Sequence, residues 1–382
     1  MPASVVLGAQ WGDEGKGKAI DQLANHSTWT VRFQGGNNAG HTIIFDDQKI
    51  VLHQAPSGIL HKNCVSVIAH GVVFEPEAFL EEIKEVKEHV EVTPDRLKIA
   101  LNASVITSYH KLLDSIREGK GSTKIGTTGK GIGPAYEDKV SRRGLRIKDL
   151  LDKDVLRKRL SVSLEEKLPL FEKYYKVDAP SLDEETERLF AYGKELSPFV
   201  CDSFSYLEDC RSQGKKILYE GAQGILLDID YGSYPYVTSS STGAAGIFTG
   251  AGGSVVEERL GICKAYTTRV GEGPMPTEIS EPIGDEIQRI GHEFGATTGR
   301  RRRCGWLDLP GLKYAVKASG LTSIALTKLD VLSGLNELKV CHAYEINGKE
   351  HSCAYPGLDL SKATPLYTSL SPFTEDFKND GK

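Results

Sequence analysis

The sequence predicts an α/β protein with a large, mostly parallel central sheet flanked by helices. Short apolar runs typical of buried strands recur along the chain, and helical patterns lie between several of them. Strands that alternate with helices favour a parallel sheet covered on both faces. The strand-like runs are residues 5–7, 30–33, 65–69, 99–101, 216–219 and 323–326.

Two helices have clear boundary signals. Pro76 suits the first turn of one helix, because proline lacks the N–H that a first-turn residue leaves unused. Gly320 is a natural end for the other, since glycine readily adopts the left-handed conformation there. Their apolar or small faces are Phe79, Leu80, Ile83 and Val86 in the first helix, and Leu312, Ala315, Val316 and Ser319 in the second.

Two regions depart from this alternation. Residues 147–210 are highly charged, helical in pattern and poor in strand signals, so they predict a helical insertion. Asn347-Gly348 lies between two strand-like stretches and is a typical two-residue turn, which predicts a small antiparallel hairpin. At 382 residues the chain could hold two ordinary domains. We expect one large α/β domain over residues 1–382, with the helical insertion at about 147–210.

The composition narrows the class of protein. A hydrophobic content of 39%, a charged content of 26% and 40 glycines indicate a soluble globular protein. The net charge of −5 argues against nucleic acid as the main partner. The seven cysteines include no C-x-x-C pair, which disfavours a disulfide framework and a zinc site. Neither a membrane-length apolar run nor a cationic leader is visible, so we expect a cytoplasmic protein without membrane or nucleic-acid partners.

Residues 12–18, Gly-Asp-Glu-Gly-Lys-Gly-Lys, follow the first strand and precede a helix. Their spacing fits the phosphate-binding G-x-x-x-x-G-K loop, so the fold should be like that of P-loop NTPases. Ala19, however, replaces the usual Ser or Thr ligand of Mg²⁺, and Asp13 places a carboxylate inside the loop. Because a carboxylate repels phosphate, the loop predicts a metal, a proton transfer, or both.

Residues 34–42, Gln-Gly-Gly-Asn-Asn-Ala-Gly-His-Thr, follow another strand. This polar loop should lie at the same carboxyl edge of the sheet as the first loop, where α/β folds bind ligands. His41 can donate to a phosphate or to a developing oxyanion. A lone histidine is more often structural, but its company here favours a functional role.

Residues 125–134 and 295–303 are two further anion-binding candidates. The first combines hydroxyls and glycines and is followed by Arg142, Arg143 and Arg146, which suits a phosphate monoester. The second ends in four consecutive arginines and suits a carboxylate or phosphate. The alternatives are a flexible solvent loop for the first, and a solvated face or nucleic-acid patch for the second.

Thr327-Lys328-Leu329-Asp330 is similar to the guanine-reading N-K-x-D element, with Thr in place of Asn. An aspartate there accepts from the N–H groups of guanine, and adenine would leave it unpaired. Beside a phosphate loop this segment favours GTP. Residues 220–224 and 234–239 are polar and glycine-rich after a strand, and predict only a loop at the edge of the site.

Taken together and in this order, these segments resemble the adenylosuccinate synthetase family. The resemblance runs from residue 4 to about 355. The motifs that carry it are Q-W-G-D-E-G-K-G-K, N-A-G-H-T, I-G-T-T-G-K-G-I-G-P-A-Y-E-D-K, E-G-A-Q-G, Y-P-Y-V-T-S, T-R-V-G-x-G-P, G-A-T-T-G-R-R-R-R and T-K-L-D. Jointly they are far more specific than any one of them.

The resemblance implies a GTP-dependent ligase that joins L-aspartate to inosine monophosphate (IMP) and forms adenylosuccinate, GDP and phosphate. This is the first committed step from IMP to AMP, and it implies a 6-phosphoryl-IMP intermediate. Asp13 would take the proton from ring nitrogen 1, while His41 assists phosphoryl transfer and Lys16 neutralises charge. Mg²⁺ would sit on the Asp13 carboxylate and the Gly40 carbonyl.

The resemblance also assigns ligand contacts and a homodimer, in which Arg142 reaches the IMP phosphate of the neighbouring subunit. Gln223 joins Asp13, Lys16 and His41 in the expected catalytic set. The expected GTP contacts are Gly12, Asp13, Glu14, Gly15, Lys16, Gly17, Lys18, Gly40, His41, Thr42, Arg302, Lys328, Leu329 and Asp330. Those to IMP are Asn38, Thr128, Arg142, Gln223, Thr238 and Arg300, and those to aspartate are Ala296, Thr297, Thr298, Gly299, Arg300, Arg301 and Arg302.

One departure from the family pattern lies at the C-terminal end. Members usually continue for several tens of residues, ending in a strand and a loop over the guanine base, and no such segment follows Leu370. We therefore expect either a truncated sequence or a member without part of its base pocket. Two alternative functions stay open. One, independent of this departure, is a GTP-binding switch or interaction protein; the other is a truncated, catalytically impaired member that binds IMP.

Overall fold

The computed structural model describes residues 3–45, 48–120, 125–253, 255–280, 282–295 and 299–375. The chain divides into two compact units. The first unit is made of Met1–Ser4, Gly17–Glu220 and Ala245–Glu257, and the second of Val5–Lys16, Gly221–Ala244 and Glu258–Lys382. The expectation of a single domain stays a prediction.

The helices and strands have the following bounds. The helices are α1 (Lys16–Ala24), α2 (Pro76–Val86), α3 (Ser108–Lys120), α4 (Ile132–Ser141), α5 (Lys153–Pro169), α6 (Leu182–Leu196), α7 (Ser203–Ser212), α8 (Ala245–Ala251), α9 (Ile283–Ile290) and α10 (Leu309–Ser319). The strands are β1 (Ala3–Gly8), β2 (Trp29–Arg32), β3 (His41–Phe45), β4 (Gln48–Leu52), β5 (Val65–Ile68), β6 (Val73–Phe74), β7 (Leu97–Ala100), β8 (Ser104–Val105), β9 (Val200–Cys201), β10 (Ile217–Glu220), β11 (Val256–Lys264), β12 (Thr267–Arg269), β13 (Arg303–Gly305), β14 (Leu307–Asp308), β15 (Ser323–Thr327), β16 (Leu338–Ile346), β17 (Lys349–His351) and β18 (Thr364–Leu370).

Within the described residues, the main sheet has eight strands in the order β15-β11-β1-β10-β2-β5-β7-β9. Neighbouring strands pair in parallel, for example β2 with β10 and with β5. Each strand-like run of the sequence overlaps a strand of this sheet and extends at most one residue beyond it. The predicted α/β fold with a large parallel sheet is therefore confirmed. Among the described residues, none of the helices combines the length and the hydropathy that a membrane span requires.

In the first unit, capping residues set the ends of the helices. Pro76 opens α2 as predicted, and the side chain of Glu75 accepts a hydrogen bond from the N–H of Ala78. Residues 147–210 form mainly helices, among them α5, α6 and α7. The chain returns to the main sheet at β9, which pairs with β7. The sequence does not predict this strand, because two residues are too short for a pattern.

In the second unit, β16 and β17 form the predicted hairpin. Asn347 and Gly348 connect them with φ angles of 53° and 73°, both in the left-handed region that this turn requires. Helix α10 begins at the Asp308 cap and ends at Gly320, whose φ is 55°. Strand β18 pairs with β16 and completes a small antiparallel group.

One local prediction is wrong. The sequence predicts a polar loop through His41 and Thr42, whereas these residues begin β3, which pairs with β4. The apolar residues that follow explain the difference, because Ile43 is buried while Ile44 is exposed. This alternation is typical of a strand with one buried face.

Candidate active site

In the first loop, residues 12–18, a buried carboxylate of the loop itself binds the groups that could bind a phosphate. Gly12, Asp13 and Gly15 have φ angles of 85°, 58° and 92°, so the chain turns sharply before α1. Glu14 is fully buried, and its Oε1 accepts hydrogen bonds from the N–H groups of Gln10 (3.0 Å) and Gly12 (2.9 Å). Lys16 Nζ lies 2.5 Å from Oε2 of the same carboxylate. In this conformation, groups that could bind a phosphate bind the Glu14 carboxylate.

The segment around Gln223 packs directly against this loop. A Cβ atom at Gly8 would lie 2.3 Å from the Gln223 carbonyl oxygen and 2.6 Å from Glu14 Oε2. A Cβ atom at Gly224 would lie 2.7 Å from Glu14 Oε1. Glycine at both positions is therefore required by close approach, and two predicted site segments are neighbours within the second unit.

Asp13 is held by an arginine from the four-arginine segment. Arg302 Nε donates to Asp13 Oδ2 over 2.8 Å, and the Asp13 side chain is 33% exposed. Arg302 Nη1 donates to Glu293 Oε2 over 2.6 Å, and Glu293 is fully buried. Behind it, Lys264 Nζ lies 2.8 Å from both Glu293 oxygens. Charges of alternating sign thus run from the interior to the loop.

The pKa directions agree with this arrangement. Burial alone would raise the pKa of Glu293, but Lys264 and Arg302 outweigh burial and lower it. Burial opposes the charge on Arg302, yet Asp13 and Glu293 outweigh burial and raise its pKa. Both groups are therefore charged near neutral pH, and the guanidinium is fixed between two carboxylates.

The four arginines do not act as one positive patch. Arg300 and Arg301 are exposed, and Arg301 pairs with Asp285 over 2.5 Å. Arg303 donates to Glu278 and, over 2.8 Å, to the Gly273 carbonyl. Carboxylates of the chain itself thus pair with three of the four arginines, Arg301, Arg302 and Arg303. Ala296, Thr297 and Thr298, predicted to bind aspartate, lie outside the described residues, whereas Gly299 is exposed with a φ of 65°.

The predicted guanine-reading segment contacts the first loop and the turn after α9. Thr327 Oγ1 donates to the Glu14 carbonyl over 2.7 Å. Lys328 has a φ of 62°, and its ammonium group donates to the Gly291 carbonyl over 2.8 Å. Leu329 and Asp330 are exposed at the start of a short 3₁₀ turn.

In the first unit, His41 is buried and paired with a carboxylate. Its Nδ1 makes a short hydrogen bond to Glu220 Oε1. Glu220 also accepts from Ser57, over 2.7 Å from the N–H and 3.0 Å from the hydroxyl. Burial alone would raise the pKa of Glu220, but His41 and Arg32 outweigh burial and lower it. The pair of His41 and Glu220 can therefore hold a proton on His41.

His41 also lies close to the start of α1. A Cβ atom at Gly17 would lie 3.1 Å from His41 Cβ, closer than most Cβ contacts, so glycine allows a close approach of the histidine there. Lys18 is exposed beside it, and Thr42 is half-buried. The end of the first loop and the His41 segment, predicted to share a site, are thus in contact within the first unit.

Two segments predicted to bind IMP also meet within the first unit. Lys130 Nζ donates to the Asn37 carbonyl over 2.8 Å. Asn38, Gly40 and Thr128 are half-buried. Thr238, also predicted to contact IMP, belongs to the second unit, where its N–H donates to the Leu227 carbonyl over 2.8 Å.

Arg142 ends α4 in an unusual conformation. Its φ is 67°, and its side chain is exposed, with no partner among the described residues. The turn is held by Asp138, whose carbonyl accepts from the N–H groups of Arg143 (3.0 Å) and Gly144 (3.1 Å). The Asp138 carboxylate is buried and accepts from Tyr109 (2.8 Å), His110 (3.0 Å) and Lys167 (2.6 Å).

The most important residues to which the sequence assigns no role are Glu220, Glu293 and Lys264; Glu220 enters only as the first residue of the segment predicted to lie at the edge of the site. Glu220 is the last residue of β10 and comes just before a glycine-rich loop, which is a detectable signal. Glu293 and Lys264 belong to no motif, and only the folded structure brings them to Arg302. Among the described residues, no cluster of three or more His, Cys, Asp or Glu could hold a metal.

Comparison with protein families gives a match over nearly the whole chain. The family model described as adenylosuccinate synthetase matches residues 5–381. The adenylosuccinate synthetase of Francisella philomiragia is 56% identical over 379 residues, which cover 98% of this chain and 89% of that protein. That of Francisella tularensis subsp. tularensis is 55% identical with the same coverage.

Comparison with solved structures gives the same family. Fully ligated adenylosuccinate synthetase from Plasmodium falciparum superposes with a TM-score of 0.92 at 38% identity, covering 99% of this chain and 90% of that chain. The succinoaminodeoxyadenylate synthetase of cyanophage S-2L superposes with a TM-score of 0.62 at 20% identity, covering 85% and 84%. The second likeness shows a shared fold alone.

Proposed function

This chain belongs to the adenylosuccinate synthetase family, and we propose that its described residues perform the family's reaction in two steps. The protein is a ligase of purine biosynthesis that uses GTP to join L-aspartate to IMP, forming adenylosuccinate, GDP and phosphate. The observation that supports the stepwise mechanism best is a carboxylate, Asp13, inside the phosphate loop and in contact with Arg302.

In the proposed first step, Asp13 takes the proton from ring nitrogen 1 of IMP. The 6-oxygen then attacks the γ-phosphorus of GTP, the bond to the β-phosphate oxygen breaks, and GDP leaves. In the second step, the amine of aspartate attacks carbon 6 and gives up one proton to solvent, the carbon–oxygen bond breaks, and the oxygen leaves as phosphate. Asp13 suits the role of base because its carboxylate is partly exposed, at 33%, and so is accessible to a substrate.

His41 supports the phosphoryl transfer. Its Nδ1 is hydrogen-bonded to the buried carboxylate of Glu220, which fixes the orientation of the imidazole ring. The buried Glu220 carboxylate stabilises the imidazolium form, which offers a charged donor to the transferring phosphoryl group. Such a preorganised donor acts where negative charge develops, without reorganisation during the reaction.

Lys16 is proposed to neutralise charge on the γ-phosphoryl group. In the described conformation its ammonium group pairs with Glu14, 2.5 Å away. A triphosphate carries more negative charge than one carboxylate and would compete for Lys16 and for the N–H of Gly12. The proposal therefore includes a rearrangement of Glu14 when GTP binds. Gln223, which packs against this loop, completes the proposed catalytic set.

The residues also fit the Mg²⁺ that the family uses. Asp13 Oδ1 accepts no hydrogen bond from the described residues, so one hard oxygen ligand is available. Mg²⁺ typically takes one or two protein oxygens together with substrate phosphates, which agrees with the lack of a larger ligand cluster among the described residues. We assign the Asp13 carboxylate and the Gly40 carbonyl as its protein ligands. When bound, the ion would neutralise phosphate charge.

The remaining proposed contacts follow the family resemblance. Lys328 and Asp330 read guanine, Arg142 binds the IMP phosphate of a partner subunit in a homodimer, and the protein is cytoplasmic. The proposed IMP contacts are Asn38, Thr128, Arg142, Gln223, Thr238 and Arg300; those to aspartate are residues 296–302; and those to GTP are residues 12–18, 40–42, Arg302 and 328–330.

Phosphate release from GTP tests this function. We expect release only when IMP and aspartate are both present, and we expect Asp13→Ala to abolish it. A GTP-binding switch would instead hydrolyse GTP slowly without either substrate. Calorimetry separates the impaired alternative, since IMP binding without GTP binding would indicate a defective base pocket.

A further inference from the structure

The turn after α9 joins two segments of the proposed site. The Gly291 carbonyl accepts from Lys328 Nζ over 2.8 Å. Two residues later, Glu293 contacts Arg302 twice: its carbonyl accepts from the Arg302 N–H over 3.0 Å, and its Oε2 accepts from Nη1 over 2.6 Å. We propose that Glu293 is a positioning residue that orients Arg302 for the carboxylate of the aspartate substrate. The inference rests on the proposed role of Arg302.

Glu293 acts through Arg302 and not on a substrate, because its side chain is fully buried. Its carboxylate is fixed from behind by Lys264, 2.8 Å from both oxygens, and by the hydroxyl of Tyr266. Lys264 is itself only 1% exposed and donates to Thr268 over 2.7 Å. A buried charged group with this many partners has one orientation.

This orientation selects which edge of the guanidinium is offered. Glu293 takes Nη1, and Asp13 takes Nε. Nη2 donates to none of the described residues. Nε and Nη2 together form the side-on edge that binds a carboxylate bidentately. By holding Nη1, Glu293 keeps this edge directed to the position of the Asp13 carboxylate.

An aspartate carboxylate is the ligand that this edge fits best. It can bind Nη2 and Nε together, in competition with Asp13 for Nε. Without Glu293, the guanidinium could rotate about its long side chain, and the side-on edge would no longer be fixed. The expected consequence is weaker binding of aspartate, with little effect on IMP.

Steady-state kinetics of the full chain test this inference. Glu293→Gln should raise the KM for aspartate about tenfold or more, because it removes the carboxylate charge that holds the guanidinium and turns one of two acceptor oxygens into a donor. The KM for IMP should stay within about twofold. In an Arg302→Ala background, Glu293→Gln should change the KM for aspartate no further, since the two residues act as one unit.

The matched control is Glu278→Gln. Glu278 is also a carboxylate paired with an arginine of the same segment, Arg303. Its substitution by glutamine should leave the KM for aspartate unchanged. If Glu293→Gln does not fold, Tyr266→Phe removes one hydrogen bond to Glu293 and should raise the KM for aspartate by a smaller factor.

Each outcome is decisive. An unchanged KM for aspartate in folded Glu293→Gln, or a full extra effect in the Arg302→Ala background, overturns the inference. If Arg302→Ala itself leaves the KM for aspartate unchanged, the proposed role of Arg302 fails instead. The two failures are therefore distinguishable.

Discussion

Replacing Glu220 with glutamine should slow catalysis through His41. Glu220 accepts from Ser57 N–H over 2.7 Å, and this backbone donor cannot change its role. The glutamine oxygen must therefore face Ser57, which turns the amide NH₂ toward His41 Nδ1. Two donors cannot share a hydrogen bond, so His41 is forced to deprotonate at Nδ1 and loses its positive charge.

The size of the effect follows from the positive charge that His41 loses as a hydrogen-bond donor. A hydrogen bond to a charged group contributes about 1.5–3 kcal/mol, which corresponds to roughly 10- to 150-fold in rate if the interaction is used mainly in the transition state. We expect the kcat of Glu220→Gln to fall by this factor. The KM values for IMP and GTP should change by less than about threefold, because a neutral His41 keeps its shape and position.

The assay is the initial rate of adenylosuccinate formation at saturating substrates. Asp308→Asn is the control, since Asp308 is also a buried carboxylate and caps α10, where asparagine caps equally well. A folded Glu220→Gln with unchanged kcat would refute the reasoning. So would a Glu220→Gln effect that persists at full size in a His41→Ala background.

Three further predictions concern guanine, stability and pH. Asp330→Asn should raise the KM for GTP about tenfold or more, because it replaces one of the two proposed carboxylate acceptors for guanine N–H groups with an N–H donor. Lys167→Met should lower the free energy of unfolding by about 3 kcal/mol, seen as a lower melting temperature, since it takes one of three partners from the buried Asp138 carboxylate. Burial raises the pKa of Glu82 to about 7 from 4.5; its stabilising effect is thus present below pH 4.5 and lost as the pH rises through 7. Between pH 4.5 and pH 7, the free energy of unfolding of the wild type should therefore fall by about 3 kcal/mol relative to that of Glu82→Gln, as measured by urea unfolding.

Each of these has a control or a contradicting outcome. An Asp330→Asn variant that keeps its KM for GTP would contradict the guanine role. Lys158 lies on the exposed face of the same helix as Lys167. The control Lys158→Met should change the free energy of unfolding by less than about 0.5 kcal/mol. A stability difference between wild type and Glu82→Gln that does not vary with pH would show that Glu82 titrates outside the window.

Much of the fold is readable from the sequence because its strands are short, apolar and separated by helical patterns. The hairpin at Asn347-Gly348 is readable because its turn needs two residues with positive φ. The β3 strand is not, since polar residues 34–40 mask where the loop ends and the strand begins. Strand β9 is also hidden, because its two residues are defined only by the neighbour they pair with.

The candidate site also has residues that can be predicted from the sequence and residues that cannot. Loops with unusual glycine and charge patterns, such as residues 12–18, are visible because phosphate binding needs consecutive residues. Glu293, which orients Arg302, carries no local pattern although it lies only nine residues away. Glu220 precedes a glycine-rich segment, but nothing local shows that it pairs with the distant His41. In the same way, nothing in four consecutive arginines reveals that Arg302 faces Asp13 while Arg303 faces Glu278.

The most direct test of the mechanism is to follow the 6-oxygen of IMP. IMP labelled at this position with heavy oxygen is converted with GTP and aspartate, and the released phosphate is analysed by mass spectrometry. The proposed transfer to the 6-oxygen predicts that each released phosphate carries one labelled oxygen. Phosphate without the label would mean that water and not IMP accepts the phosphoryl group, and would contradict the assigned roles of Asp13 and His41.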